Sequence, residues 1–318
     1  MRFGHIHMLP GIGNSKFPYC TSLYVDDGPG LLIDTGADPS ALASITSRVG
    51  IVFLTHYHYD HIRSVFSFPG ADVHTNPIEA PYFADLDSLA EALGMKHVYG
   101  EQGISRWKQL LAEGAPDAPY STAFRRIWLD LERLRVTAYP IEEVIQVGGT
   151  KVVMLHAPGH TKGHSVAYFP SEGLVYTGDI DLSGFGPWYH GEDGDPDLFA
   201  VSAGRLCSLD ADVYITAHHK GAVSKKRFVK AVRKYLSVIE RRDEKVAEYL
   251  DWGFTLKQAA LSGVSYPPHM CRDPWIFMWE YLLSAKHAAR VGIMPAADED
   301  WPFVFKSPLS VDGGRPSF

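Results

Sequence analysis

Four side chains of the types that bind metal ions occur within six consecutive positions of this sequence, in the run HYHYDH at 56–61. Two imidazoles two residues apart in a loop can reach one cation, and the aspartate and histidine that follow can turn toward a second. Imidazole and carboxylate are typical ligands of zinc, and they also suit iron and manganese. The run therefore predicts a centre for two divalent ions, most simply zinc.

Three later segments also place a histidine or an aspartate directly after a predicted strand. They are the PGHT segment at 158–161, the TGD segment at 177–179 and the His218-His219 pair. The run at 56–61 follows the wholly apolar segment 51–54, which is typical of a strand buried on both faces. Because α/β sheets carry their chemistry just past the ends of strands, we expect these four strand ends to meet in one cleft.

The elements that must position these segments are predicted to form a β-rich part and a helical part. Strands are predicted at 21–25, 31–34 and 213–216, with hairpins at 143–155 and 167–176 and a first helix at 39–48. Between about 79 and 138 the pattern changes, and we interpret this stretch as a helical insertion with segments at 85–93, 105–113 and 122–135.

The chain becomes helical again after the last predicted strand. The spacing predicts one helix from residue 225, a short helix that begins at a capping box on Thr255, and a longer helix from about 274 to 290. We therefore predict one α/β domain at 1–224, which contains the insertion, and a helical C-terminal region at 225–318.

Taken together, these motifs resemble the metallo-β-lactamase superfamily. The resemblance rests on the DTG segment at 34–36, the HxHxDH run at 56–61, the PGHT and TGD segments, and the histidine at 218, in an order and spacing that fit from about residue 15 to 222. It implies a four-layer αβ/βα sandwich with the metals at one edge. Asp60 and Asp179 make the chain look similar to the glyoxalase II and lactonase-like branch, and the C-terminal helices loosely resemble a winged-helix appendage.

The resemblance also implies a role for each candidate ligand. The first metal is expected on His56, His58 and His160, and the second on Asp60, His61 and His218, with Asp179 bridging the two. Asp60 is also the candidate catalytic residue, because it can orient the attacking water or pass a proton to the leaving group. The substrate-binding residues are not predicted.

Several positions allow more than one interpretation. His218 is preferred over His219 as the ligand because it follows a small residue, as the family's ligand does. His164 is interpreted as a core histidine rather than a pocket residue. Arg63 stands where the family shows a small residue, and we interpret it as solvated or ion-paired rather than as a contact for an anionic substrate. Asp34 is expected to hydrogen-bond a ligand loop.

The function predicted from these residues is hydrolysis of an ester, thioester or lactone by a metal-activated hydroxide. A phosphodiesterase or nuclease on the same site, a non-haem iron oxidoreductase, and a metal-bound module without enzymatic activity stay open as alternatives. The net charge of −7 over 318 residues disfavours nucleic acid as a partner, and a small-molecule substrate is expected.

The remaining composition constrains the setting of the protein. No stretch approaches the roughly 18 apolar residues that a membrane span needs. The first residues carry no secretory pattern, and the three cysteines have no CxxC spacing, so a cytoplasmic protein without disulfides is expected. A homodimer is compatible with the sequence.

Overall fold

The computed structural model describes residues 1–113 and 127–304, and within them the strands form two sheets. The first sheet has seven strands in the order β1 to β7. These are β1 (Arg2–Phe3), β2 (Ile6–Leu9), β3 (Ser22–Val25), β4 (Leu31–Ile33), β5 (Ile51–Leu54), β6 (Asp72–Thr75) and β7 (Val136–Ala138). β1 to β4 pair in antiparallel fashion, whereas β4, β5, β6 and β7 run parallel.

The second sheet has six strands in the described residues, in the order β13-β12-β11-β10-β9-β8. These are β8 (Val144–Val147), β9 (Thr150–His156), β10 (Ser165–Phe169), β11 (Leu174–Tyr176), β12 (Val213–Ile215) and β13 (Ala222–Ser224). Two antiparallel pairings, β9 with β10 and β10 with β11, give β9 and β11 the same direction, and β12 is parallel to β11. The loops that carry residues 160, 179 and 218 therefore leave the sheet at the same edge.

The two sheets share one apolar core. Phe53 and Ile33 from the first sheet belong to the same buried cluster as Met154, Tyr176 and Ile215 from the second. The strand at 51–54 has the bounds that the sequence predicts, and three of its four residues are buried. The predicted α/β sandwich is thus confirmed. Because its strands are short and several are joined by tight turns, hairpin signals and apolar runs in the sequence locate most of them.

The helices connect and flank these strands. Their bounds in the described residues are Ile12–Ser15, Pro39–Ala43, Tyr59–Ile62, Ala80–Ala84, Leu86–Leu93, Met95–Glu113, 127–130, Pro196–Leu206, Lys225–Asp251, Leu256–Ser262 and Pro274–Val291. Shorter 3-10 turns lie at Thr46–Arg48, Val65–Ser67, Leu131–Arg133 and Met270–Arg272. None of the helices in the described residues is both long and apolar enough to cross a membrane.

Two predicted helices differ from the structure, and a third cannot be compared over its whole length. The helix expected at 39–48 stops at Ala43 and resumes as a 3-10 turn, because the Ser44 hydroxyl donates to the carbonyl of Ala41 and competes with the helical pattern. The helix expected at 105–113 begins ten residues earlier, at Met95, and kinks at Gly100. The segment expected at 122–135 lies partly outside the described residues, and β7 occupies part of the predicted insertion.

The chain divides into two compact units. The first comprises Met1–Asp85, Glu132–Tyr189 and Asp193–Ile239, and it contains both sheets and every candidate ligand. The second comprises the described parts of Leu86–Leu131, His190–Glu192 and Glu240–Phe318, which are mainly helical. The capping box at Thr255 is present as predicted. The domain boundary at 224 and the winged-helix resemblance stay predictions.

Candidate metal centre

Three histidines converge at the ends of β5 and β9. Nε2 of His160 lies 3.1 Å from Nε2 of His56 and 2.8 Å from Nδ1 of His58. An oxygen of Asp179 lies 3.2 Å from the same His160 nitrogen. The ligand atoms of these four side chains all lie within 4.8 Å of one another, so they form a compact set for one cation.

A second set of ligand-type side chains adjoins the first. Asp60, His61 and His218 also offer ligand atoms within 4.8 Å of one another, and all three side chains are buried. Oδ1 of Asp179 lies 2.8 Å from Nε2 of His61 and 3.5 Å from Nε2 of His218, while its Oδ2 faces His160. The structure therefore brings the seven candidate ligands together, with Asp179 between the two sets.

Backbone carbonyls accept hydrogen bonds from the Nδ1 atoms of two of the histidines. Nδ1 of His160 lies 2.8 Å from the carbonyl oxygen of Trp188, and Nδ1 of His218 lies 2.7 Å from that of Ser15. A carbonyl can only accept, so each Nδ1 carries a proton, and each ring is held with its Nε2 toward the centre. This orientation is typical of histidines that bind a metal.

The side chains of Asp34 and Thr55 hold His56 and His61 in the same way. Nδ1 of His61 lies 2.7 Å from Oδ2 of Asp34, and Nδ1 of His56 lies 3.0 Å from Oγ1 of Thr55. The Thr55 hydroxyl itself donates to Asp34, so its oxygen is left to accept from His56. Asp34 thus binds the ligand loop, as the sequence predicts, and Tyr176 donates a further hydrogen bond to it.

The resulting arrangement is unfavourable without a cation. Nε2 of His56 and Nε2 of His160 both direct lone pairs into a gap of 3.1 Å. Nε2 of His61 and Oδ1 of Asp179 are buried and lack an aligned hydrogen bond within the described residues, although the two atoms are 2.8 Å apart. Buried acceptors that face one another cost free energy unless a proton or a metal ion lies between them. The donor set therefore fits a metal centre.

Burial and charge divide the two sets electrostatically. Burial lowers the pKa of His58 to about 3 and the pKa of both His56 and His160 well below 6.5, so these three imidazoles are neutral at pH 7 and available as ligands. Burial also opposes charge on His218, but the Asp179 and Asp60 carboxylates outweigh it and raise the His218 pKa well above 6.5. The carboxylates of the second set therefore supply negative charge that a bound cation would neutralise.

His164 has a positioning role that the sequence did not indicate. Its Nδ1 donates to the carbonyl of Ala157 at 2.9 Å, and its Nε2 accepts the backbone N–H of Asp179 at 3.2 Å. The residue before Asp179 is Gly178, with φ of +51°. A Cβ atom there would lie 2.4 Å from Nε2 of His164, so the glycine permits both the turn and this contact.

We expect Gly178→Ala to lower the free energy of unfolding by at least about 1–2 kcal/mol, the usual cost of a left-handed backbone for a residue with a Cβ. The contact with His164 adds to that cost. Urea unfolding of the variant beside Gly184→Ala measures it, because a Cβ at Gly184 meets nothing within 4 Å. Equal stability of the two variants would contradict this interpretation.

Two other sequence interpretations can be compared with the structure. His219 is exposed at φ of +59° and lies outside the clusters of ligand atoms, whereas its neighbour His218 is buried in one of them. Arg63 donates to the carbonyl of Pro18 at 2.6 Å, and its guanidinium lies 3.8 Å from the ring centroid of Tyr19. These contacts favour a structural role for Arg63 over binding of an anionic substrate.

Sequence reasoning missed Glu79 and Cys20. Burial raises the pKa of Glu79 to about 8, with a further contribution from Asp193, and the hydrogen bonds to its carboxylate lower it. Cys20 is buried with Asp34 and His61, within 4.8 Å between ligand-type atoms. Neither residue stands in a recognisable motif, because their partners are distant in sequence.

Trp188 lies in the loop between β11 and the helix Pro196–Leu206. Its ring centroid is 5.0 Å from that of His58 and 5.5 Å from that of His160. The indole is partly exposed, so it forms an apolar surface beside the three-histidine set.

Comparison with known proteins gives one family match. A family model described as the metallo-beta-lactamase superfamily matches residues 17–218. A hydroxyacylglutathione hydrolase of Aeromonas hydrophila is 26% identical over 216 residues, which is 67% of this chain and 65% of that protein. The one of Cereibacter sphaeroides strain ATCC 17025 is 26% identical over 61% of this chain and 58% of its own length. The chain thus covers under two thirds of these relatives.

Solved structures show the same fold. A metallo-beta-lactamase family protein of Thermus thermophilus has a TM-score of 0.66 at 21% identity, covering 91% of this chain and 94% of that one. A beta-lactamase domain protein of Burkholderia ambifaria has a TM-score of 0.56 at 16% identity, covering 91% and 86%. At these identities the likeness establishes the architecture alone.

Proposed function

Because the chain belongs to the metallo-beta-lactamase superfamily, we propose that it is a hydrolase that uses two divalent metal ions to cleave an ester, thioester or lactone. The observation that carries this proposal is the convergence of the imidazole Nε2 atoms of His56, His61, His160 and His218 around Asp179, with Nδ1 of each of these rings held by an acceptor. Such an arrangement is costly for folding alone, and it suits a bound cation.

The proposed ligands follow the two sets of side chains. One ion would be held by His56, His58 and His160, and the other by Asp60, His61 and His218, with Asp179 shared. When bound, such a pair supplies a hydroxide at neutral pH and Lewis acidity that stabilises an oxyanion. Zinc is the simplest choice for imidazole and carboxylate ligands, and iron or manganese would also fit.

The chain's own residues would orient the reaction. Oδ2 of Asp60 lies 3.2 Å from Nε2 of His218, and its side chain is only 8% exposed. From this position Asp60 can hold a water by a hydrogen bond and hand its proton to the leaving oxygen or sulfur. The indole of Trp188 would exclude water from one side of the centre and contact an apolar part of the substrate.

The relatives favour an acyl compound as the substrate. The two curated relatives are hydroxyacylglutathione hydrolases by name, and an acylglutathione is a thioester. The net charge of −7 disfavours a polyanion such as RNA. A thioester or related acyl compound is therefore the substrate class that we propose.

We expect purified protein to hold about two equivalents of metal and to lose its hydrolase activity on dialysis against a chelator, since the attacking hydroxide depends on the ions. Zinc should restore activity. The measurement combines elemental analysis with a panel of an acylglutathione thioester, an aryl ester, a lactone and an aryl phosphodiester. A metal-loaded protein that cleaves only the phosphodiester, or nothing, would overturn the proposed reaction.

A further inference from the structure

We infer that Glu79 is a positioning residue for the proposed three-histidine site, because its buried carboxylate joins the two loops that carry those histidines. Glu79 follows β6 and is fully buried. It belongs to none of the clusters of ligand atoms found in the described residues. The inference concerns how this metal site is built, and it rests on the proposed function only through the identity of that site.

One oxygen of Glu79 holds the first ligand loop. Its Oε2 accepts the backbone N–H of Tyr57 at 2.8 Å, and Tyr57 stands between His56 and His58. The Tyr57 hydroxyl donates to Asp193 at 3.2 Å, which fixes the same loop from the side-chain end. The path of the backbone between the two histidines therefore depends on Glu79.

The other oxygen holds the second ligand loop. Its Oε1 accepts the hydroxyl of Thr161 and, at 3.1 Å, the backbone N–H of Gly163. Thr161 directly follows His160, and a Cβ at Gly163 would lie 2.4 Å from Cγ of Glu79. The absence of a side chain at Gly163 thus lets the carboxylate enter between the loops.

Two backbone N–H groups, one from each loop, need an oxygen acceptor at both ends of this side chain. A carboxyl group meets that demand when it is ionised, and also when it is protonated, because its O–H can then donate to the Thr161 hydroxyl. A glutamine of the same shape must turn its NH₂ group toward one loop. If the amide faces Tyr57, two donors oppose each other there. If it faces the other way, the N–H of Gly163 loses its acceptor. Either orientation releases one of the loops.

The metal site is sensitive to such a release. Nε2 of His160 is only 2.8 Å from Nδ1 of His58, and these two atoms belong to the two loops that Glu79 joins. Replacing a group that hydrogen-bonds and orients a metal ligand typically lowers metal affinity or activity about 10- to 100-fold. The second set is fixed independently by Asp34 and by the carbonyl of Ser15.

The chain offers a matched control in the second unit. Glu280 is also fully buried, and it accepts hydrogen bonds from the backbone of Val264, Ser265 and Tyr266 and from the Ser265 hydroxyl. Glu280→Gln therefore disturbs a buried carboxylate with a similar set of donors. Its partners carry none of the candidate ligands.

The test titrates metal-free protein with Co²⁺, followed by the visible absorption of the bound ion, and with Zn²⁺ against a chelating indicator. For Glu79→Gln we expect affinity at one of the two sites to fall about 10- to 100-fold, with an altered Co²⁺ spectrum for that equivalent and little change at the other. Glu280→Gln should lower thermal stability and leave both affinities unchanged. Neither readout needs a substrate, so this inference can be tested even if the proposed hydrolysis is wrong.

Thr161→Val keeps the experiment decisive if Glu79→Gln does not fold. It removes only the hydroxyl that donates to Oε1, and we expect a several-fold weaker affinity at the same site. Two outcomes would overturn the inference. One is that Glu79→Gln, or Thr161→Val in its place, binds metal like the parent protein. The other is that both sites weaken equally while apo stability falls as it does in Glu280→Gln.

Discussion

Replacing Asp179 by asparagine should reduce acyl hydrolysis by at least about 10²- to 10³-fold, the loss that follows removal of one group aligned with the reacting charge. Asp179 presents Oδ2 to His160 and Oδ1 to His61 and His218. Although burial opposes its ionisation, the neighbouring histidines hold the pKa of Asp179 well below 3.8, so it is an anion at any working pH. An asparagine has the same shape but offers one oxygen and no charge.

The control for this prediction is Asp181→Asn. Asp181 lies two residues further along the same loop, and burial raises its pKa to about 6, so its carboxyl is much less acidic than that of Asp179. We expect the Asp181 variant to keep most of its activity and its metal. Steady-state rates and metal content of the two variants decide the matter. If Asp179→Asn keeps two ions and parental kcat, Asp179 does not bridge the centre.

Replacing Asp34 by alanine should cost several kcal/mol of folding stability. The Asp34 carboxylate is fully buried and accepts from the Thr55 N–H and hydroxyl, from Nδ1 of His61 and from the hydroxyl of Tyr176. Each buried donor left without an acceptor costs about 1–3 kcal/mol. The losses are not additive, but a total well above that of an ordinary surface substitution is expected.

The comparison for Asp34→Ala is Asp38→Ala. Asp38 caps the helix Pro39–Ala43 by accepting from the N–H of Ser40 at 2.8 Å, and loss of such a cap typically costs about 1 kcal/mol. Urea unfolding of the metal-free proteins separates the two effects. Because Asp34 fixes His61, its variant should also bind the second ion weakly. A cost for Asp34→Ala no larger than that for Asp38→Ala would show that relaxation or water satisfies the stranded donors.

The linear pattern was sufficient for the candidate ligands and most of the strands that carry them. An apolar run of four residues specifies a buried strand such as β5 by itself, and glycine and proline specify where the hairpins turn. Ligand-type residues placed just after such strands then point to one edge of the sandwich. These signals depend only on residues close together in the chain, so they can be recognised in a single sequence without structural information.

Local signals were not sufficient where a segment can form more than one secondary structure at a similar free energy. Helical residues lie on both sides of a break at Gly100, so the sequence prediction of a helix from residue 105 missed the first ten residues of Met95–Glu113. Short strands such as β6 and β7 contain charged or polar residues and are stabilised by pairing with their neighbours. Their formation depends on the sheet that is already present, which is why propensity alone did not locate them.

The sequence by itself determined which side chains could hold two metal ions, because residue type and the position after a strand are properties of the chain. Only the tertiary structure decided how those side chains are aimed. The carbonyl of Ser15, which is 203 residues away in sequence, orients His218 and not His219 toward the centre. Glu79 hydrogen-bonds Tyr57 and Gly163, which are 22 and 84 residues away in sequence, and so connects their two loops. Hydrogen bonds between such distant residues leave no periodic trace in a sequence, since they form only when folding brings donor and acceptor together.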